Sequence, residues 1–233
     1  MDKALASLVI LCALSLQIVQ QTVGTSHPPA GGGAIAVTLI CKKASANCVV
    51  TSTVPVGGFV SFCQLAETAA PLTAPHDSGS NTYTLDKNQD NSGGAGVDVS
   101  CYHSVLTNQL TSGSSTVTWG ASYNQYFAVV ITNLATGAFD VAAAANQTGT
   151  TAFNAGATAA TAATDACLGV SGNETSATLA AAGGATLIDS GSTTINDTRA
   201  LGVEWLQVAT SAYTAQGTMS ATVNGIMMGV CYK

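Results

Sequence analysis

The chain reads as an all-β protein: a disulfide-stapled antiparallel β-sandwich or jelly roll with long Gly/Ser/Thr/Ala-rich loops. Three observations predict it. Short runs rich in Val, Ile, Phe and Tyr recur between Gly-, Asn- and Pro-rich turns. No stretch carries a strong amphipathic helical period. Cysteines fall inside or beside several of the apolar runs, as in a sheet held by cross-links.

Taken in order, the chain opens on an apolar run, residues 4–23, behind a single Lys3. A positive end, an apolar core and small residues at Thr22 and Gly24 make residues 1–24 a secretory signal peptide. Gln17, Gln20 and Gln21 interrupt the run, so it is short for a membrane span. No later run matches its length, so no membrane span is expected once the leader is removed, and the destination is extracellular. Residues 25–33, TSHPPAGGG, are a linker. Residues 34–233 then form a β-rich extracellular domain, with 66–96 as the place for any subdivision.

Within that domain AIAVTLIC (34–41), CVVTSTV (48–54) and FVSFCQL (59–65) read as strands, the last apolar on both faces and therefore an inner one. Residues 66–96 are poor in apolar side chains and hold Pro71, Pro75 and DKNQDNSGGAG. They read as a long loop with one short strand at 83–85. VDVSCYHSVL (97–106), STVTWG (115–120) and YFAVVITNL (126–134) are further strands. The alanines of 138–145 are ambiguous between helix and strand. Residues 146–166 read as irregular or thin strands, with a weak alternative of a short helix over 156–167. The apolar pattern returns at ACLGVSG, ALGVEWLQVA (200–209) and a final long strand or pair ending at Cys231.

Composition bounds the function. Only 8% of the 233 residues are charged and the net charge is −6. Arg199 is the single arginine. Phosphate recognition needs clustered Lys and Arg, so nucleic acid is excluded as a partner. Scarce charge leaves little repulsion between copies. Cys12 leaves with the leader. Cys41, Cys48, Cys63, Cys101, Cys167 and Cys231 remain, an even count that reads as three disulfides in an exported chain. No CxxC occurs, which argues against zinc. Asn146, Asn173 and Asn196 begin Asn-x-Thr sequons and are the candidate glycan carriers.

Three motifs resemble known sites or families. Asp86, Asn88 and Asp90, with Asp98 behind them, resemble an acidic calcium loop. Alternate oxygen ligands on a tight turn can wrap a hard cation. Asn91 stands where glycine usually follows, and Val97 where a glutamate would close the loop. Calcium is thus the one ion the sequence suggests, and no other cofactor is expected. Leu187-Ile188-Asp189-Ser190-Gly191-Ser192, with Asp77-Ser78-Gly79-Ser80 upstream, resembles the catalytic loops of pepsin-like aspartic proteases. That resemblance implies Asp77 and Asp189 side by side. The same segments also fit ordinary Asp-Ser-Gly turns. Finally, Ala135–Phe139, Gly202–Gln207 and Val223–Met227 resemble segments of the complement globular-head and tumour-necrosis-factor-like jelly rolls, over residues 97–230. Here alanine replaces most of that family's aromatics.

No Ser/His/Asp triad, phosphate loop or metalloprotease motif can be assembled. His103, on a strand beside Cys101, reads as structural. The expectation is a secreted, N-glycosylated, non-enzymatic protein of an extracellular matrix, coat or surface assembly. Its partners would be itself, other extracellular proteins or glycans. The alternative is a recognition module for sugar or protein, built on converging aromatics such as Tyr83, Tyr102, Trp119, Tyr123 and Tyr126. A hydrolase built on Asp189 is the remote alternative.

Overall fold

The computed structural model describes residues 33–43, 47–66, 73–91, 94, 96–118, 125–191 and 199–233. The leader and nearly all of the linker lie outside them, as do Asn196, Trp119 and Tyr123. The described residues form strands and turns with no helix, and no helix among them is long and apolar enough to cross a membrane.

Two large antiparallel sheets come from successive halves of the chain. Sheet one orders β1 (Ala36–Lys43), β8 (Gln125–Thr132), β3 (Phe59–Ala66), β6 (Val97–Val105) and β5 (Thr84–Asn91) as β1-β8-β3-β6-β5. Sheet two orders β12 (Thr186–Asp189), β13 (Ala200–Ala209), β10 (Thr164–Asn173) and β14 (Ala212–Tyr232) as β12-β13-β10-β14. On the far side of β14 lies β9 (Phe139–Ala160), along most of its length, while β11 (Leu179–Ala181) pairs with residues 217–219 of β14 on the edge opposite β9. A jelly roll threads its strands between two sheets. Here residues 36–132 build one sheet and 139–232 the other, so the arrangement is a sandwich.

The alternation of side chains makes the sandwich. On β3, Phe59, Cys63 and Leu65 face inward; on β6, Val97, Val99 and Cys101 do. They meet Leu168 and Val170 of β10, Leu201 and Val203 of β13, and Ile226, Met228 and Val230 of β14 in one core. Each such side chain contributes about 1.5–3 kcal/mol when fully buried. Gly172 permits the close approach: a Cβ there would lie 2.5 Å from Val99 Cγ2 and 2.7 Å from Leu65 Cδ1.

Both sheets are also covered outside. A small sheet ordered β2 (Asn47–Val49), β7 (Thr116–Thr118) and β4 (His76–Asp77) caps sheet one. Beneath the cap Ile40, Val60, Phe62, Tyr102 and Tyr126 pack with Val54, Leu110 and Val117. Sheet two is covered by its own longest strands. β9 and β14 form a ribbon that folds over, so Phe153, Tyr213 and Ala215 pack on Cys167, Met227 and Cys231. A Cβ on Gly229 would lie 3.2 Å from Ala215 Cβ, fourteen positions earlier in the same strand. The Gln147 side chain bonds the Asn154 backbone across the fold, and Ala162 N–H donates to Asp140 at 2.7 Å, returning the end of the ribbon to its start.

Three disulfides staple strands: Cys41–Cys48, Cys63–Cys101 and Cys167–Cys231. The last two join directly opposed positions of β3/β6 and β10/β14.

One expectation is corrected and one open reading is settled. Residues 84–91 are an eight-residue strand where a long loop was expected, because β6 leaves a row of backbone donors and acceptors that this charged segment fills. Of the readings left open for 138–166 the strand one holds and the irregular and helical ones do not: β9 runs 22 residues and β10 begins at Thr164. Pairing with β14 overrides the weak helical preference of the alanines.

Candidate functional site

A chain of polar side chains crosses between the two sheets at one end of their shared core. A register shift between Leu85 and Lys87 sets Asp86 apart from the regular ladder of β5. Its carboxylate, with the side chain 1% exposed, bonds His103 Nδ1 at 2.5 Å through Oδ1. The Tyr232 hydroxyl donates to Asp86 Oδ2 at 2.9 Å. Since that proton is committed, Ser61 Oγ donates in turn to the Tyr232 oxygen at 2.8 Å. His103 stacks on Phe59, with ring centroids 5.5 Å apart. Burial pushes the Asp86 carboxyl up, while His103 and Tyr232 oppose the rise.

Chemically this is an Asp–His pair without a nucleophile on it, because Ser61 is engaged by Tyr232. It joins β3, β5 and β6 of sheet one to β14 of sheet two. The sequence flagged Asp86 and His103 separately. Nothing in their spacing pairs them, since the contact arises from strand register.

The four calcium candidates do not converge. Asp86 meets Tyr232 between the sheets, whereas Asn88, Asp98 and Ser100 bond one another on the other face of sheet one. Asp90 stands opposite Asp98 in the β5–β6 register. Asp98 is fully buried and its carboxyl is pushed up to about 7, first by burial and then by Asp90. Among the described residues no three His, Cys, Asp or Glu side chains gather as a metal site.

Asp77 and Asp189 are not neighbours either. Asp77 in β4 accepts bonds from the Gly79 and Asn81 backbone, the Asn81 amide and the Tyr83 hydroxyl. Asp189 in β12 accepts from Gly191 N–H and pairs with Lys42, tying the β12 edge to the β1 edge. Both Asp-Ser-Gly motifs are turns.

A neighbouring pair of carboxyls does exist, at positions that no motif marks. Asp165, fully buried at the start of β10, lies beside Asp140 of β9, and neither of its carboxyl oxygens has a hydrogen-bond partner among the described residues. Asp140 accepts from Ala162 N–H and, at 3.0 Å, from Lys233 Nζ. Those bonds hold Asp140 below the usual carboxylate range, the Ala162 amide first. Burial pushes Asp165 up to about 7, with Asp140 adding to the rise. The two carboxyls therefore sit in opposite environments, Asp140 held ionised and Asp165 favouring its protonated form. Glu204, fully buried under the folded ribbon beside Tyr213, is likewise raised to about 7 by burial.

The sequons differ. Asn146 is exposed on β9, bonded to Gln89 and to the Asp90 carbonyl. Asn173 is fully buried, its amide donating to Ala177 and Ala200 carbonyls, so a glycan on it has no room in this fold. Tyr83, Tyr102 and Tyr126 do converge, but inside the core under the small sheet and not on a surface. An open groove of about 360 Å³ runs beside the turn from β13 to β14, lined by Gln207, Ser211, Tyr213, Thr214 and Gln216, and no charged residue lines it.

Comparison of the chain with family models, with curated proteins and with solved structures gives no match. The jelly-roll and protease resemblances therefore rest on their short motifs alone. The three disulfides and the all-β fold are compatible with an extracellular protein.

Proposed function

We propose that the protein is a secreted, non-enzymatic structural protein of an extracellular matrix, coat or surface assembly. The observation that carries this reading is how the polar groups are spent. The Asp86–His103–Tyr232–Ser61 chain, the Lys42–Asp189 pair and the Asp140–Lys233 pair all bond one layer or strand to another. With three strand-to-strand disulfides they make a cross-linked, oxidised body whose few charges are, among the described residues, mostly half-buried. Little charge remains to keep copies apart. Asn146 is the exposed sequon available to a glycan among the described residues.

Recognition of a ligand through an aromatic platform has weaker support, because Tyr83, Tyr102 and Tyr126 are core residues. The test is expression of the whole chain in a eukaryotic secretory host. The reading expects oxidised protein in the medium, without its first 24 residues, sedimenting as assemblies. Retention inside the cell with free thiols would overturn it.

A further inference from the structure

Five strands bound the two large sheets, and four of them are guarded. β1 carries Lys42, β5 carries Asp86, Lys87 and Asp90, β12 has four residues and ends at Asp189, and β11 has three residues. Charge and shortness are the devices that stop an edge from pairing with another chain. β9 has neither. It spans 22 residues, and among the described residues its backbone ladder is with β14 alone, while the Asn146 side chain is tied to Gln89 and to the Asp90 carbonyl of β5. From Val141 to Thr164 it and the turn after it hold no charged residue and no proline. Its one charge, Asp140, is neutralised by Lys233.

The two halves of β9 differ. Beyond Gln147 the register with β14 shifts repeatedly, and such irregularities disrupt a ladder. From Val141 to Asn146 the ladder is regular, opposite Cys231 to Ile226. This segment is VAAAAN. Ala142 and Ala144 pack on the inter-sheet core, and residues 141–145 are half-buried.

We propose that the Val141–Ala145 edge of β9, ending before the Asn146 sequon, is the seam by which a second copy of this chain joins, the two edges pairing antiparallel about a two-fold axis. The proposal rests on the assembly reading above and names its contact. A strand edge is complementary in donors and acceptors only to another extended strand. A second copy brings the same edge in the self-matching arrangement that two-fold symmetry requires. Charge decides for a copy over an oppositely charged partner. The few charges leave a net of −6, and the small repulsion they cause between copies is least at this neutral edge. Alanine side chains also let the two sheets meet without a steric barrier. The result is one sheet running through both copies.

The test compares the unmodified protein, Ala145→Lys and Ala36→Lys, the last placing the same charge on the exposed start of β1. Light scattering over a concentration series gives the dissociation constant. Hydrogen exchange of the 141–145 amides gives a readout that needs no substitution. The seam predicts that Ala145→Lys raises the dissociation constant by about tenfold or more, since each copy then sets a charged side chain against the other's apolar edge. It predicts no change for Ala36→Lys, and slower exchange at 141–145 on assembly. Assembly unaffected by Ala145→Lys, or exchange at 141–145 that ignores assembly, overturns the seam and leaves the structural role standing. A protein monomeric at every concentration overturns both.

Discussion

The Tyr232 hydroxyl donates to Asp86 at 2.9 Å, across 146 positions of sequence and between the two sheets. Asp86 enters from the edge strand of sheet one and Tyr232 from the last residue of β14. The bond therefore exists only when both halves of the chain have folded and met.

Removing that hydroxyl should cost stability. In Tyr232→Phe the ring stays in the core, but Asp86 Oδ2 and Ser61 lose their partner. Leaving buried polar groups unpaired costs about 1–3 kcal/mol. Ser61→Ala, which removes a neutral donor at the end of the chain, should cost about 1 kcal/mol. Urea unfolding of both variants checks the order. Equal stability of Tyr232→Phe and the parent would show that the tie contributes nothing.

Stability should fall as pH rises from about 4 to about 7. Asp98, Asp165 and Glu204 are fully buried with carboxyls pushed up to about 7, burial being the first cause in each. Unfolded, such groups titrate near 4. Between these values the folded chain binds more protons than the unfolded one, so raising pH favours unfolding. Above about 7 the dependence flattens. Asp140 acts in the opposite direction at the acid end, because its carboxyl is held low and its bonds weaken on protonation. The melting temperature should therefore peak near pH 4. A maximum at pH 7 or above would contradict the assignment of protons.

Asp165→Asn should flatten part of that slope. The amide cannot ionise. The variant is expected to lie within about 1 kcal/mol of the parent at pH 4 and to be the more stable of the two at pH 8. Melting curves at the two pH values decide it. Equal slopes for variant and parent would remove Asp165 from the pH response.

The disulfides should differ in worth. Closing a longer loop removes more freedom from the unfolded chain. Cys167–Cys231 spans 64 positions and Cys41–Cys48 spans 7. Replacing both cysteines by alanine should cost about 4 kcal/mol for the first and about 2 kcal/mol for the second. Guanidinium unfolding of the two double variants measures the difference, after peptide mapping has verified the pairing. A larger loss from the short loop would contradict the entropic account.

The strands with large apolar side chains were legible in the sequence. FVSFCQL, VDVSCYHSVL and ALGVEWLQVA carry their burial in Val, Leu, Phe and Tyr, and the structure places each in an inner strand. The even cysteine count implied three bridges but not their pairing, which register decides. β9 was not legible, because alanine, threonine and glycine show no period and the strand owes its form to β14. β5 was not legible either, because DKNQDN has turn composition and becomes a strand only beside β6. The Asp86–His103 and Asp140–Asp165 pairs depend on register and on the folded ribbon, which no local pattern encodes.

The measurement closest to the central claim is the mass of the secreted, non-reduced protein by light scattering across a concentration series, with and without calcium. The account predicts a defined oligomer that dissociates on dilution and is indifferent to calcium, since Asp86 and Asp98 lie on opposite faces of sheet one. A monomer at every concentration, or assembly that only calcium induces, would contradict it.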